Sequence, residues 1–121
     1  MKKLIIVMAM MFMPIQVNAR TLIDYGLMKC TAYCPCESCS DNYGRTTHSG
    51  KIATAGRTIA VDPSIIDIGS KVKIGDHIYT AEDTGGAVKG DVIDIFFDTH
   101  EEVKAFADGK GILYEHCWVV K

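Results

Sequence analysis

Five short stretches rich in β-branched and aromatic residues follow one another along the chain: "LMKCTAY", "RTIAVDP", "KVKIGDHIYTAED", "DVIDIFFD" and "ILYEHCWVVK". Turn-forming Gly, Pro and Asp separate them, and alternation rather than a helical period runs through them. In "KVKIGDHIYTAED", Val72 and Ile74 alternate with Lys71 and Lys73 around Gly75-Asp76, which suits a two-residue hairpin turn of type II′ with glycine first. One helix is expected, in "DTHEEVKAFADGKG". Asp98 with Glu101 or Thr99 with Glu102 supplies the cap, Val103, Phe106 and Ala107 form the apolar stripe, and Gly109 lies just past the end. About six strands and one short helix predict an all-β fold, a small closed barrel rather than a parallel α/β sheet.

The 121 residues suffice for one domain, with 48% hydrophobic residues. Part of that apolar content lies in "MKKLIIVMAMMFMPIQVNAR", which has Lys2 and Lys3, an apolar run from Leu4 to Met13, and small residues up to Ala19. This is the pattern of a secretory signal peptide over residues 1–19, and ten apolar residues fall short of the roughly 20 that span a bilayer. Residues 20–121 are then one folding unit without repeats or linkers. Removing Lys2 and Lys3 takes the formal charge from −2 to −4, so neither nucleic acid nor an anionic membrane is the expected partner. The expected product is a secreted or periplasmic monomer.

Export also frames the five cysteines, Cys30, Cys34, Cys36, Cys39 and Cys117, as disulfide candidates. Cys30 and Cys117, in the first and last strands, would tie the chain ends together. The alternative is a metal held by the cluster "CTAYCPCESC" with His48 as a fourth ligand. The preferred reading has no metal and no cofactor, with the four histidines at the surface.

The densest chemistry lies in "AEDTGGAVKGDVIDIFFD". Strand alternation puts Asp94 and Phe96 on one face and Ile93, Ile95 and Phe97 on the other. An aspartate is a poor strand residue, so Asp94 needs a reason. Asp83 ends the preceding strand beside Thr84-Gly85-Gly86, whose glycines allow a sharp turn and close ligand approach, and Asp62 ends another strand at "AVDP". Convergence of three aspartates in one cleft would raise a carboxyl pKa enough for it to act as a general acid near neutral pH.

The segments "TAYCPCESC", "ATAGRTIAVDPSIIDIGSKVKI" and "YTAEDTGGAVKGDVIDIFFDTHEEVKAF" together resemble the 3D domain family, named for three aspartates and related to lytic transglycosylases of the A family. The resemblance spans residues 28 to 120 and implies a double-psi β-barrel with a peptidoglycan-binding groove. It implies cleavage of the β-1,4 bond between N-acetylmuramic acid and N-acetylglucosamine with formation of a 1,6-anhydro sugar. Carried over onto this sequence, the catalytic aspartate falls on Asp94 and the others on Asp83 and Asp62, with Asp98 a rival for the third place. Thr31, Tyr33, Thr84, Gly85 and Lys89 would contact the glycan. A non-catalytic module using the same groove to bind the wall is the alternative. Two departures from the family pattern stand out: Thr47-His48-Ser49-Gly50, where relatives often show "TASG", and Cys117 in the last strand.

Overall fold

The computed structural model describes residues 21–121; the expected signal peptide lies outside them. The chain runs β1 (Leu22–Tyr33), α1 (Glu37–Ser40), β2 (Thr58–Val61), β3 (Lys71–Ile74), β4 (His77–Asp83), β5 (Val92–Phe96), α2 (His100–Ala105) and β6 (Leu113–Val120). The six strands pair in the closed order β1-β5-β2-β4-β3-β6, so each has two neighbours and no edge is left open. Two of the pairings, β1 with β5 and β2 with β4, are parallel. Among the described residues no helix is long and apolar enough to cross a membrane.

Most expected elements are present. Gly75-Asp76 closes the β3–β4 hairpin with Ile74 opposite His77, and Gly75 alone has positive φ, as type II′ requires. Thr99 caps α2 in a capping box with Glu102, while Asp98 does not cap but pairs with Arg45. Two elements differ from expectation. β1 begins five residues earlier than "LMKCTAY": with a bulge at Asp24/Gly26, Leu22 to Cys30 pair with β6, while Lys29 to Tyr33 pair with β5. A second helix, α1, stands inside the long cysteine-rich loop, where four residues are too few to leave a periodic signal.

Alternation sorts the strands into two packed clusters. Ile59, Val61, Ile93 and Ile95 fill the barrel with Met28, Val72 and Val119, and Phe97 packs against them. Tyr33, Ala60, Val88 and Phe96 form a smaller cluster on the other face. The Asp94 strand is therefore held by its neighbours at 93 and 95, which frees residue 94 for the outside.

All five cysteines are thiols. Cys30 and Cys117, the pair expected to bridge the first and last strands, are both buried with their thiols within hydrogen-bonding reach of each other. The β1–β6 register sets Cys117 opposite Gly26 and Cys30 opposite Leu113, and each thiol donates to a carbonyl of its own strand.

Glu82 shows how one acid of the dense segment serves the fold. It is buried, accepts from the Thr58 hydroxyl at 2.7 Å and from Arg57 Nε at 3.1 Å, and leaves the groove to its neighbour. Glu82→Ala strands the fully buried Thr58 hydroxyl and is expected to lower unfolding free energy by about 2 kcal/mol. Asp98→Ala, which breaks only the exposed pair with Arg45, should cost less than about 0.5 kcal/mol. Urea unfolding of the two variants side by side checks the contrast, and equal losses would refute it.

Candidate functional site

A groove of about 740 Å³ runs over the outer face of the barrel, lined among others by Tyr33, His48, Asp83, Thr84, Lys89 and Asp94. Its floor follows from register. Thr31 on β1 stands opposite Asp94 on β5, Asp94 opposite Ala60 on β2, and Ala60 opposite Asp83 on β4. Residues directly opposite across paired strands share a face, so Thr31, Asp94, Ala60 and Asp83 form one row across four strands. At about 4.8 Å per strand, the two aspartates flank Ala60 with backbones about 10 Å apart. The methyl of Ala60, 3% exposed, leaves the space between the carboxyl groups open to the groove.

Asp83 enters this row through an irregularity. Ile59 pairs with Ala81, but Ala60 pairs with Asp83, so β4 carries one extra residue there. Regular pairing would set Glu82 in the row; the bulge turns Glu82 to Thr58 and Arg57 and delivers Asp83 to the groove.

The two carboxyl groups have opposite surroundings. Asp83 Oδ2 accepts from the Tyr33 hydroxyl at 2.9 Å, and Oδ1 accepts from the His48 and Thr84 backbone N–H groups, each at 2.9 Å. Burial, then the charge and hydrogen bond of Asp83, push the Tyr33 phenol above its ordinary range, so it remains a donor. Asp94 has one side-chain partner, the Thr31 hydroxyl, which donates to Oδ1 at 2.8 Å. Burial pushes the Asp94 carboxyl up to about 6; the Thr31 hydrogen bond opposes the rise and the Asp83 charge adds to it. A group that titrates there can both give and take a proton near neutrality.

Asp62 does not join this pair. Its carboxylate accepts from the Gly90 N–H at 2.8 Å and from the Ser64 N–H and hydroxyl. The Gly90 contact first, then those of Ser64, hold its pKa down to about 2, and Lys89 adds in the same direction. Asp62 thus fixes the Lys89-Gly90 turn leading into β5 and does not raise the pKa of Asp94, contrary to the expectation of three converging carboxyls. Asp98, the rival for the third place, lies outside the groove against Arg45.

The expected contact residues Tyr33, Thr84, Gly85 and Lys89 line the groove, while Thr31 acts on Asp94 from below. Gly85 has ordinary backbone angles; its role is packing, since a Cβ there would meet Val88 Cγ2 at 3.1 Å. His48 belongs to the groove wall rather than to the cysteine cluster. The ring nitrogen beside Cys34, Cys36 and Cys39 is Nδ1 of His100, a residue that sequence spacing left among the scattered histidines.

The 3D domain family matches residues 57–115. A putative cell wall shaping protein of Bacillus subtilis, YabE, is 44% identical over 69 residues, 55% of this chain and 17% of that protein. The cell wall-binding protein YocH of the same organism is 56% identical over 41 residues, 33% of this chain and 14% of that protein. The chain thus spans less than a fifth of either relative. Among solved structures, MltA from E. coli, described as having a unique lytic transglycosylase fold, superposes with a TM-score of 0.54 at 26% identity over 63% of this chain and 27% of MltA. The lytic transglycosylase LtgG of Burkholderia pseudomallei gives 0.53 at 27% identity over 62% of this chain and 26% of LtgG. Residues 57–115, which carry the aspartate row and the turn that Asp62 secures, thus match the 3D domain family, in a barrel similar to that of the MltA lytic transglycosylases.

Proposed function

We propose that the chain is an exported peptidoglycan lytic transglycosylase that cleaves between N-acetylmuramic acid and N-acetylglucosamine and leaves a 1,6-anhydro end. The carrying observation is the half-buried Asp94, raised to about 6 and set in the groove two strands from Asp83, whose carboxyl oxygens accept three hydrogen bonds. Export agrees with the leader-like residues 1–19 and with relatives named for the cell wall. MltA has been seen with chitohexaose bound, which makes a glycan a natural occupant of this groove too. We also read the closed barrel, with its two parallel pairs, as double-psi.

In this mechanism Thr31 holds Oδ1 of Asp94 and the proton resides on Oδ2. Asp94 gives that proton to the glycosidic oxygen as the bond to C1 breaks. The muramic acid C6 hydroxyl attacks C1, and the Asp94 carboxylate takes the hydroxyl proton. A proton has moved from O6 to O4, one C–O bond has replaced another, and no water is consumed. One carboxyl group suffices, unlike the two of ordinary glycosidases. Asp83 holds Tyr33, His48 and Thr84 in place and keeps a negative charge near the developing positive charge at C1.

The second reading is a wall-binding module, favoured by the name of YocH. Mass spectrometry of purified peptidoglycan after incubation with the chain separates the two. Ends in 1,6-anhydro-N-acetylmuramic acid are expected; reducing ends would mean hydrolysis, and retained binding without products would mean the groove holds glycan uncut.

A further inference from the structure

Cys34, Cys36, Cys39 and His100 present one donor atom each, all within 4.8 Å of one another. Cys34 Sγ lies 3.1 Å from Cys36 Sγ and 3.5 Å from Cys39 Sγ. His100 Nδ1 lies 3.7, 3.5 and 3.7 Å from the sulfurs of Cys34, Cys36 and Cys39. A zinc ion with bonds of about 2.3 Å to sulfur and about 2.0 Å to nitrogen has tetrahedral edges of about 3.8 Å between sulfurs and about 3.5 Å from sulfur to nitrogen. The three sulfur–nitrogen edges agree with that tetrahedron, and the two sulfur–sulfur edges are tighter. Both are much longer than the roughly 2.05 Å of a disulfide.

The backbone that brings these donors together is itself fixed. α1 turns the chain so that the Cys39 and Ser40 N–H groups donate to the Cys36 carbonyl, and the Ser40 hydroxyl donates to the Cys34 carbonyl at 2.6 Å. The Ser38 hydroxyl lies 3.3 Å from Cys36 Sγ. On the other side, the capping box of Thr99 and Glu102 fixes the first turn of α2, which starts at His100. Sequence separation between the two halves exceeds sixty residues, so nothing local explains the convergence.

We propose that Cys34, Cys36, Cys39 and His100 form a Cys₃His zinc site that fastens the loop after β1 to the start of α2. With four protein ligands the coordination shell is closed, so the metal is structural and takes no part in bond cleavage. Binding replaces three thiol protons by one Zn²⁺ and leaves the site with a net charge of −1. The clamp acts on the groove from outside: Tyr33 immediately precedes Cys34, and Cys39, Ser40, Asp41, Tyr43 and Gly44 contribute to the groove wall. This inference stands independently of the glycan reading, because its test measures metal.

The full chain is purified under reducing conditions without chelator, and its zinc content is measured beside His100→Ala, His100→Cys and His48→Ala. About one zinc per chain is expected in the wild type and in His48→Ala. His100→Ala should bind Zn²⁺ at least tenfold more weakly, and His100→Cys, which restores a fourth ligand, should regain it. Cobalt(II) added to the metal-stripped chain should give the intense visible bands of a tetrahedral thiolate site, and stripping should lower the melting temperature. Substoichiometric zinc in the wild type, equal retention by His100→Ala, or a disulfide within Cys34, Cys36 and Cys39 that prevents metal uptake would overturn the proposal.

Discussion

Asp94→Asn is expected to lower glycan cleavage by about 10³-fold, the size of effect general acid–base catalysis supplies, while making the chain more stable at neutral pH. Both effects have one origin. In the unfolded chain an aspartate titrates near 3.9; in the fold, burial raises Asp94 to about 6. Between those values the folded state keeps a proton that the unfolded state gives up, so stability falls as pH rises from about 4 to about 6. The loss is on the order of 2 kcal/mol after allowance for partial exposure. Asparagine accepts the Thr31 hydrogen bond without titrating, so the variant gains on the wild type through the same window and the difference then levels off. Urea unfolding between pH 4 and pH 7 follows the stability arm, and release of anhydro-muropeptides follows the activity arm. Wild-type cleavage by the variant would remove Asp94 from the acid role. A wild-type stability that does not fall over this window would mean that its carboxyl is not raised.

The sequence carries much of this arrangement because strand periodicity is a local signal. Alternation in "DVIDIFFD" suffices to place Ile93 and Ile95 inside and Asp94 outside, and Gly75-Asp76 suffices to fix a hairpin register. What escapes it depends on contacts far apart in the chain. The β4 bulge sets Asp83 rather than Glu82 in the aspartate row; Asp83 stands out in the sequence beside Thr84-Gly85-Gly86, but strand alternation alone carries no sign of the bulge. Ala60 reads as an ordinary strand residue until β2 is seen to lie between β4 and β5, where its small side chain separates the carboxyl groups. Asp62 reads as a third member of the site because it too ends a strand, and only the closure of the chain around Gly90 reveals it as a turn clamp. The histidine beside the cysteines follows the same rule. His48 is nearer in sequence, but α2 packs against β1 and brings His100 there instead.

The second large effect concerns Asp83, where the same substitution tests a different kind of role. Asp83→Asn is expected to reduce cleavage by about 10²-fold, mainly by loosening the groove wall. The carboxylate accepts three hydrogen bonds at once, from Tyr33 through one oxygen and from His48 and Thr84 through the other. Asparagine has one carbonyl oxygen, so it can hold the two backbone N–H groups only by presenting its amide N–H groups to the Tyr33 oxygen. That reverses the sense of the Tyr33 hydrogen bond and frees the phenolic proton to seek another acceptor in the groove. The removed charge has a separate consequence for Asp94. Burial is the leading cause of its raised pKa and Asp83 a lesser one, so the upper limb of the pH–rate profile should move to lower pH by only a small amount. A large downward movement that accounts for the whole activity loss would make Asp83 chiefly an electrostatic tuner. A lower rate with a nearly unmoved limb, accompanied by weaker glycan binding in the Asp83→Asn and Tyr33→Phe variants alike, is the result this geometry requires. If Tyr33→Phe binds and cuts as the wild type does, the Tyr33–Asp83 contact has no part in shaping the groove, and the loss in Asp83→Asn must come from its charge near C1.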